Sequence, residues 1–165
     1  GPTINPATPA NQLLGVYNPG LLKKIGNALT ANKVKSGLVV HGLVRDKKVD
    51  GVDELTNCGI NKVFGIGNLS MPEINNWNPS KWNSSEGNFS ELRGGDLREN
   101  LQIMNSLLEG RAPKSLRTSI LINAATAFWI QGKCSSLEEG FEFADSLLIN
   151  GTVKHWLEKA SDLFS

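Results

Sequence analysis

The stretch that decides the fold is KSGLVVHG, residues 35–42, a short apolar run that ends in glycine. Its apolar residues follow one another without polar alternation, which predicts a strand covered on both faces, as in a parallel sheet. After a polar loop, NKVFGIG at residues 61–67 is a second short strand candidate. The Asn- and Ser-rich segment 68–90 has no clear period, and we predict one irregular strand there, around residues 71–77.

Helical patterns surround these strands. YNPGLLKKIGNALTAN (residues 17–32) predicts a helix with Asn18 as the N-cap and Pro19 at its first position. The last third of the chain has apolar residues at helical spacing in four segments, at 94–110, 115–132, 135–150 and 151–164. We therefore predict an α/β fold, with a partly parallel sheet, helices packed around it and a mostly helical C-terminal third.

Composition excludes several classes of protein. The 165 residues suit one domain, and 17 basic against 16 acidic residues leave a net charge of +1. No one-signed field marks the chain for nucleic acid or an anionic membrane, and no apolar run approaches the roughly 20 residues that span a bilayer. Cys58 and Cys134 lie far apart without metal-ligand spacing, which suits a reducing compartment. We expect a cytoplasmic protein, with an organelle as the alternative.

Two adjacent carboxylates, Asp53 and Glu54, stand in the motif GVDEL (residues 51–55), in the loop after the first predicted strand. Ligands of open α/β sheets bind outside the carboxyl ends of strands. Mg²⁺ held by one or two carboxylates, with phosphate and water completing its shell, would explain the pair. A solvated acidic turn would also explain it, and from the loop alone this is the simpler interpretation. His41, at the end of the same strand, is interpreted as a structural histidine.

Two further features have structural rather than functional interpretations. The glycines before Asp96 lead into a helix N-terminus, where anions can bind, but Asp96 would itself cap that helix and repel phosphate. Trp129 and Trp156 fall on apolar helix faces and are predicted to be core residues. Trp77 and Trp82 lie in the Asn- and Ser-rich segment and are predicted to line a surface or a missing domain.

Several motifs occur in an order typical of one family. They are GPTINPATPANQLLGVYNPGLLKKIGNAL (1–29), LVVHG (38–42), GVDEL (51–55), ELRGGDLREN (91–100) and LINAATAFWIQGKCSSLEEGFEFA (121–144). Over nearly its whole length, the chain resembles anthranilate phosphoribosyltransferase, whose fold is shared by the pyrimidine nucleoside phosphorylases. The resemblance implies that residues 1–165 form the C-terminal part of the phosphoribosyltransferase catalytic α/β domain.

The resemblance also implies a site. In the family, an adjacent Asp-Glu pair binds the Mg²⁺ that accompanies phosphoribosyl pyrophosphate (PRPP), and this role passes to Asp53 and Glu54. The turn formed by Asn5, Pro6 and Ala7 resembles the family loop beside the anthranilate site. The amine of anthranilate attacks C1 of the ribose in a step of tryptophan biosynthesis, and no catalytic side chain is implied in these residues. The family forms a homodimer through a small helical domain.

Other parts of the family's site precede these motifs. The glycine-rich PRPP loop, the phosphate contacts, the anthranilate-binding arginine and most of the helical domain all lie upstream in the family. We therefore expect the chain to be a piece of a longer polypeptide and to be inactive alone. One alternative is a paralogue that uses another acceptor or binds nucleic acid, because LVRDKKV (43–49) is longer and more basic than expected of the enzyme. The other is a scaffold without activity.

Overall fold

The computed structural model describes residues 6–44 and 49–163. The described strands form one sheet, in which each strand is hydrogen-bonded to the next along the chain. Their bounds are Asn11–Gly15 (β1), Ser36–Gly42 (β2), Asn61–Gly67 (β3) and Asn75–Trp77 (β4). The pair β1 and β2 is parallel, whereas β3 is antiparallel to both β2 and β4. The sheet is therefore mixed, which confirms the partly parallel arrangement predicted from the sequence.

One α-helix lies between β1 and β2, the others follow β4, and the last third of the chain is helical as predicted. The bounds are Leu22–Ala31 (α1), Leu97–Leu108 (α2), Lys114–Ile130 (α3), Leu137–Ile149 (α4) and Thr152–Asp162 (α5). Within the described residues, short 3-10 helices lie at Pro19–Leu21, Pro79–Trp82 and Phe89–Leu92. The Asn18 side chain caps the first of these by accepting a hydrogen bond from the Gly20 N–H, and Pro19 occupies the first helical position, as expected.

The central strand β2 is buried along its whole length. Successive side chains of a strand point to opposite faces, so Leu38 and Val40 share one face and Val39 takes the other. The first face packs in a core cluster that includes Ile122 of α3. The second face packs in a cluster that includes Leu22 of α1. Helices therefore cover both faces of β2, which is the physical reason that its sequence lacks polar alternation.

Strand β1 is not evident from the sequence. It has only five residues, and it follows a proline-containing segment that suggests a loop. It forms because it can pair in parallel with the edge of β2, with Asn11 opposite Ser36 and Gly15 opposite Val40. The backbone N–H of Val16 continues the ladder by donating to the carbonyl oxygen of Val40 at 2.9 Å.

The tryptophans correct the sequence-based assignment. Trp77 and Trp82 are 6% and 0% exposed, because the segment that contains them packs beneath α3. The Trp82 indole N–H donates to Thr126 Oγ1 at 3.0 Å, and its ring meets that of Trp77 edge-on at 5.8 Å. Trp129 is partly buried against the same cluster. Trp156, in contrast, is 66% exposed and lies on α5, a helix with no buried residue. The predicted positions of Trp77, Trp82 and Trp156 were therefore wrong.

Candidate metal-binding edge of the sheet

Asp53 and Glu54 lie at the carboxyl edge of the sheet. Because β1 and β2 are parallel, their last residues, Gly15 and Gly42, end at this same edge. A Cβ atom on Gly15 would lie 1.4 Å from the backbone oxygen of Asp53, and one on Gly42 would lie 2.7 Å from that of Glu54. The two glycines thus allow the main chain of the acidic pair to rest directly on the strand ends. The position expected from the sequence is the one observed.

Both acidic side chains are exposed to solvent. Even so, the pKa of the Glu54 carboxyl group is raised above its usual value, first because neighbouring protein displaces water from it and second because of the Asp53 carboxylate. The two negative charges therefore act on each other across this edge. A bound cation would relieve this repulsion, whereas a solvated turn leaves it in place.

The donor set suits magnesium. Among the residues that the structure describes, no group of three or more His, Cys, Asp or Glu side chains is placed to hold a metal ion. Structural and catalytic zinc sites take three or four protein ligands, which Asp53 and Glu54 by themselves do not supply. Magnesium is commonly bound by one or two carboxylates while phosphate and water complete its octahedral shell. Asp53 and Glu54 match that pattern, and their metal role stays a prediction.

His41 lies just beneath this edge and is 1% exposed. Its Nδ1 is 2.8 Å from the carbonyl oxygen of Val16. Since a carbonyl oxygen only accepts, Nδ1 carries the proton in the neutral ring and Nε2 presents a lone pair. Nε2 is buried next to the backbone of Gly51, where an added Cβ would lie 2.3 Å away, and it has no hydrogen-bond partner among the described residues. Nδ1 thus makes the hydrogen bond expected of a structural histidine, whereas Nε2 makes none within the described part of the chain.

The segment that follows the acidic pair is tied to helix α3. The Asn123 side chain makes hydrogen bonds to both backbone groups of Leu55, and the Ser119 hydroxyl donates to Asn57 Oδ1 at 3.0 Å. These helix residues were not predicted from the sequence. A signal was present, since Ser115, Ser119 and Asn123 recur every four residues in a helix that is otherwise largely apolar.

The predicted anthranilate-side turn is only partly described. Asn5 lies outside the described residues, whereas Pro6 and Ala7 form an exposed turn ahead of β1. The acidic pair lies beyond the opposite end of that strand, whose five residues span roughly 13 Å. The role of Asn5, Pro6 and Ala7 beside an acceptor stays a prediction.

The glycines before α2 do not form an anion site. Asp96 accepts a hydrogen bond from the Glu99 N–H at 2.8 Å, and Glu99 accepts one from the Asp96 N–H at 2.9 Å. This reciprocal capping box places two carboxylates at the helix N-terminus, which confirms the capping interpretation.

A membrane-crossing helix is not found in residues 6–44 and 49–163, where none is both long and apolar enough. Most of the basic segment 43–49, the reason for considering a paralogue with another acceptor or a nucleic-acid partner, lies outside the described residues.

Curated relatives of the chain are anthranilate phosphoribosyltransferases. The protein of that name from Synechococcus elongatus is 32% identical over 155 residues, which cover 93% of this chain and 42% of the relative. The one from Methanobrevibacter smithii is 35% identical over 162 residues, covering 96% of this chain and 45% of the relative. The chain thus spans less than half the length of these relatives.

Solved structures and a family model also match the chain. Anthranilate phosphoribosyltransferase from Thermus thermophilus is 30% identical with a TM-score of 0.75, over 88% of this chain and 40% of that one. The Saccharomyces cerevisiae enzyme, solved with PRPP and Mg, is 22% identical with a TM-score of 0.75, over 90% and 41% of the two chains, and shows the shared fold. A model described as "Glycosyl transferase family, a/b domain" matches residues 1–154. Since this match covers nearly all of its length, the chain belongs to that glycosyl transferase family.

Proposed function

We propose that this chain forms the metal-binding wall of an anthranilate phosphoribosyltransferase. In that reaction a phosphoribosyl group passes from PRPP to anthranilate and pyrophosphate is released, a step of tryptophan biosynthesis. The observation that carries the proposal is the placement of Asp53 and Glu54 on the ends of two parallel strands. Gly15 and Gly42 leave room for the backbone of the pair there. The curated relatives supply the reaction, since they share that name.

The chemistry asked of these residues is electrostatic. Asp53 and Glu54 would hold Mg²⁺ at the edge where the pyrophosphate of PRPP lies. When bound, this ion would offset the negative charge that grows on the departing pyrophosphate. The carboxylates move no proton in this scheme. They would place two negative charges at a fixed position, because their backbone packs against the ends of the strands.

The remaining parts of the site are proposed to lie outside these 165 residues, in the other half of the relatives' length. They would hold PRPP and anthranilate and would form the homodimer contact, in a cytoplasmic enzyme. Holding two reactants in register supplies about 7–11 kcal/mol in well-oriented reactions. The 165 residues alone are therefore expected to show no measurable turnover, which an assay of the purified chain checks.

The test uses the full-length protein and follows PRPP-dependent loss of anthranilate fluorescence. Asp53→Asn combined with Glu54→Gln should abolish turnover at limiting Mg²⁺. A control with the same charge change, Glu138→Gln with Glu142→Gln on the exposed surface of α4, should leave turnover unchanged. Equal kinetics of the first double variant and the unchanged protein would contradict the metal role. A full-length protein that binds PRPP but leaves anthranilate unconsumed would favour the paralogue with another acceptor.

A further inference from the structure

Helix α3 carries an unexpected row of polar side chains. Most of the helix is apolar, yet Ser115, Ser119 and Asn123 recur at four-residue intervals and so lie on one face. Ser115 and Ser119 are buried, at 4% and 3% exposure. Buried polar groups need hydrogen-bond partners, and the carbonyl oxygens one turn earlier in the same helix can meet only part of that need. This row therefore marks where α3 holds other parts of the chain.

Each member of the row binds a loop. Ser115 Oγ accepts a hydrogen bond from the Asn88 N–H at 2.9 Å, and Ser119 Oγ accepts one from the Asn57 N–H at 3.3 Å. Asn123 reaches Leu55, 68 residues away along the sequence. Two of the three contacts thus fall on residues 55–57, directly after the acidic pair.

Asn123 makes three side-chain hydrogen bonds, two of them to the backbone of Leu55. Its Oδ1 accepts from the Leu55 N–H at 3.1 Å, and its Nδ2 donates to the Leu55 carbonyl oxygen at 2.7 Å. Nδ2 also donates to the carbonyl oxygen of Ser119 at 2.9 Å, one turn earlier in the helix, which fixes the orientation of the amide. A single side chain thus satisfies both backbone groups of a residue whose side chain is 0% exposed.

These bonds act on the acidic pair because Leu55 follows Glu54 directly. On one side the Glu54 carbonyl oxygen lies close to Gly42 at the end of β2. The N–H of this same peptide, which belongs to Leu55, donates to Asn123 of α3, and the carbonyl oxygen of the next peptide accepts from Asn123. The backbone of Glu54 is therefore held between the sheet and the helix, although its side chain is exposed. Groups that hold a metal-binding residue in place often matter nearly as much as the ligand itself.

We propose that Asn123 is a positioning residue for the Asp53–Glu54 pair, which it anchors through both backbone groups of Leu55. This inference rests on the proposed metal role of the pair. An amide is required at position 123 because it both donates and accepts. Leucine would fill a similar volume but leave the buried Leu55 N–H and carbonyl oxygen unpaired.

The experiment titrates the full-length protein with Mn²⁺, an EPR-visible ion that also takes oxygen ligands, and measures the Kd from the loss of the free-ion signal. Asn123→Leu and Asn123→Ala should raise the Kd about tenfold or more. Thr126→Val is the matched control, because it also removes a buried hydrogen bond of α3, to Trp82, whereas the hydrogen bonds from α3 to residues 55–57 come from Ser119 and Asn123. It should bind Mn²⁺ like the unchanged protein even if its thermal unfolding midpoint falls as far.

The outcomes separate the two proposals. If Asp53→Asn with Glu54→Gln binds Mn²⁺ as tightly as the unchanged protein, the metal role itself is wrong. If that double variant loses Mn²⁺ but Asn123→Leu keeps it, only the positioning role is overturned, as it also is if Thr126→Val weakens binding equally. Should the leucine variant fail to fold, Asn123→Asp replaces it, since it keeps the size and the acceptor but cannot donate to Leu55. Unchanged binding by that variant would equally overturn the positioning role.

Discussion

The backbone oxygen of Asp53 lies so close to Gly15 that a Cβ atom there would come within 1.4 Å of it. This separation is far below any real contact of a Cβ atom, so alanine cannot be accepted unless the backbone moves. The contact joins the last residue of β1 to the loop that carries the acidic pair. The identity of residue 15 therefore sets where the carboxylates lie.

Gly15→Ala should displace the acidic loop. We expect the free energy of unfolding to fall by about 1–3 kcal/mol, as for other substitutions that overpack a site, and the Mg²⁺ requirement of the full-length protein to rise. Gly20→Ala is the control, because Gly20 is exposed and the added atom meets only the end of the Asn18 side chain, at 3.1 Å. Urea unfolding and activity against Mg²⁺ concentration measure the two effects. A Gly15→Ala variant as stable as the Gly20→Ala variant would contradict the backbone contact.

Asp53→Asn should lower the pKa of Glu54. That pKa is raised first by burial and second by the Asp53 carboxylate, and the substitution removes only the second cause. The pKa should therefore move part of the way back towards the ordinary glutamate value. NMR titration of the Glu54 carboxyl carbon in metal-free buffer measures the change. A Glu54 pKa that stays the same in the variant would show that the two carboxylates do not interact across this edge.

Trp82→Phe should lower stability far more than Trp156→Phe. Trp82→Phe leaves a gap in the core and removes the hydrogen bond to Thr126, so we expect a loss of about 1–3 kcal/mol in the free energy of unfolding. Trp156→Phe changes an exposed side chain and should stay within about 0.5 kcal/mol of the unchanged protein. Denaturant unfolding gives both values. Similar losses for the two variants would mean that Trp156 is also buried in solution.

Glu91 should contribute to the acid sensitivity of the fold. Its carboxylate accepts a hydrogen bond from the Ser115 N–H at 2.8 Å, in the first turn of α3, and this bond is the main reason that the pKa of Glu91 is lowered. An acid with a lowered pKa in the folded state stabilises that state above its unfolded pKa. The contribution is then lost as the pH falls through the folded pKa.

Glu91→Gln should therefore lower stability at neutral pH and flatten the decline of stability below the ordinary glutamate pKa. Urea midpoints measured from neutral to acidic pH show both effects. Glu142→Gln, at an exposed position on α4, should reproduce the acid profile of the unchanged protein. A Glu91→Gln profile that runs parallel to that of the unchanged protein would contradict the contribution of this hydrogen bond.

The sequence by itself determined the elements whose signals are local. The continuous apolar run of β2 predicts burial on both faces, and the helical periods of α1 to α5 predict each helix, since these patterns depend on the residues of one segment. The caps at Asn18 and Asp96 were equally predictable, because a capping side chain binds a backbone group within three residues. The adjacent acids also stand in the sequence as a candidate metal pair.

The tertiary structure alone decided which segments meet. Strand β1 exists because β2 offers a parallel edge, and Trp82 is buried because its short helix packs under α3. Asn123 binds Leu55 across 68 residues of sequence. No local period encodes such contacts, because burial and pairing depend on the surface that another element presents. The acidic pair could be predicted from the five residues GVDEL. Its contacts with Gly15 and Gly42, and the bond of Asn123 to Leu55, exist only because the sheet and α3 pack together.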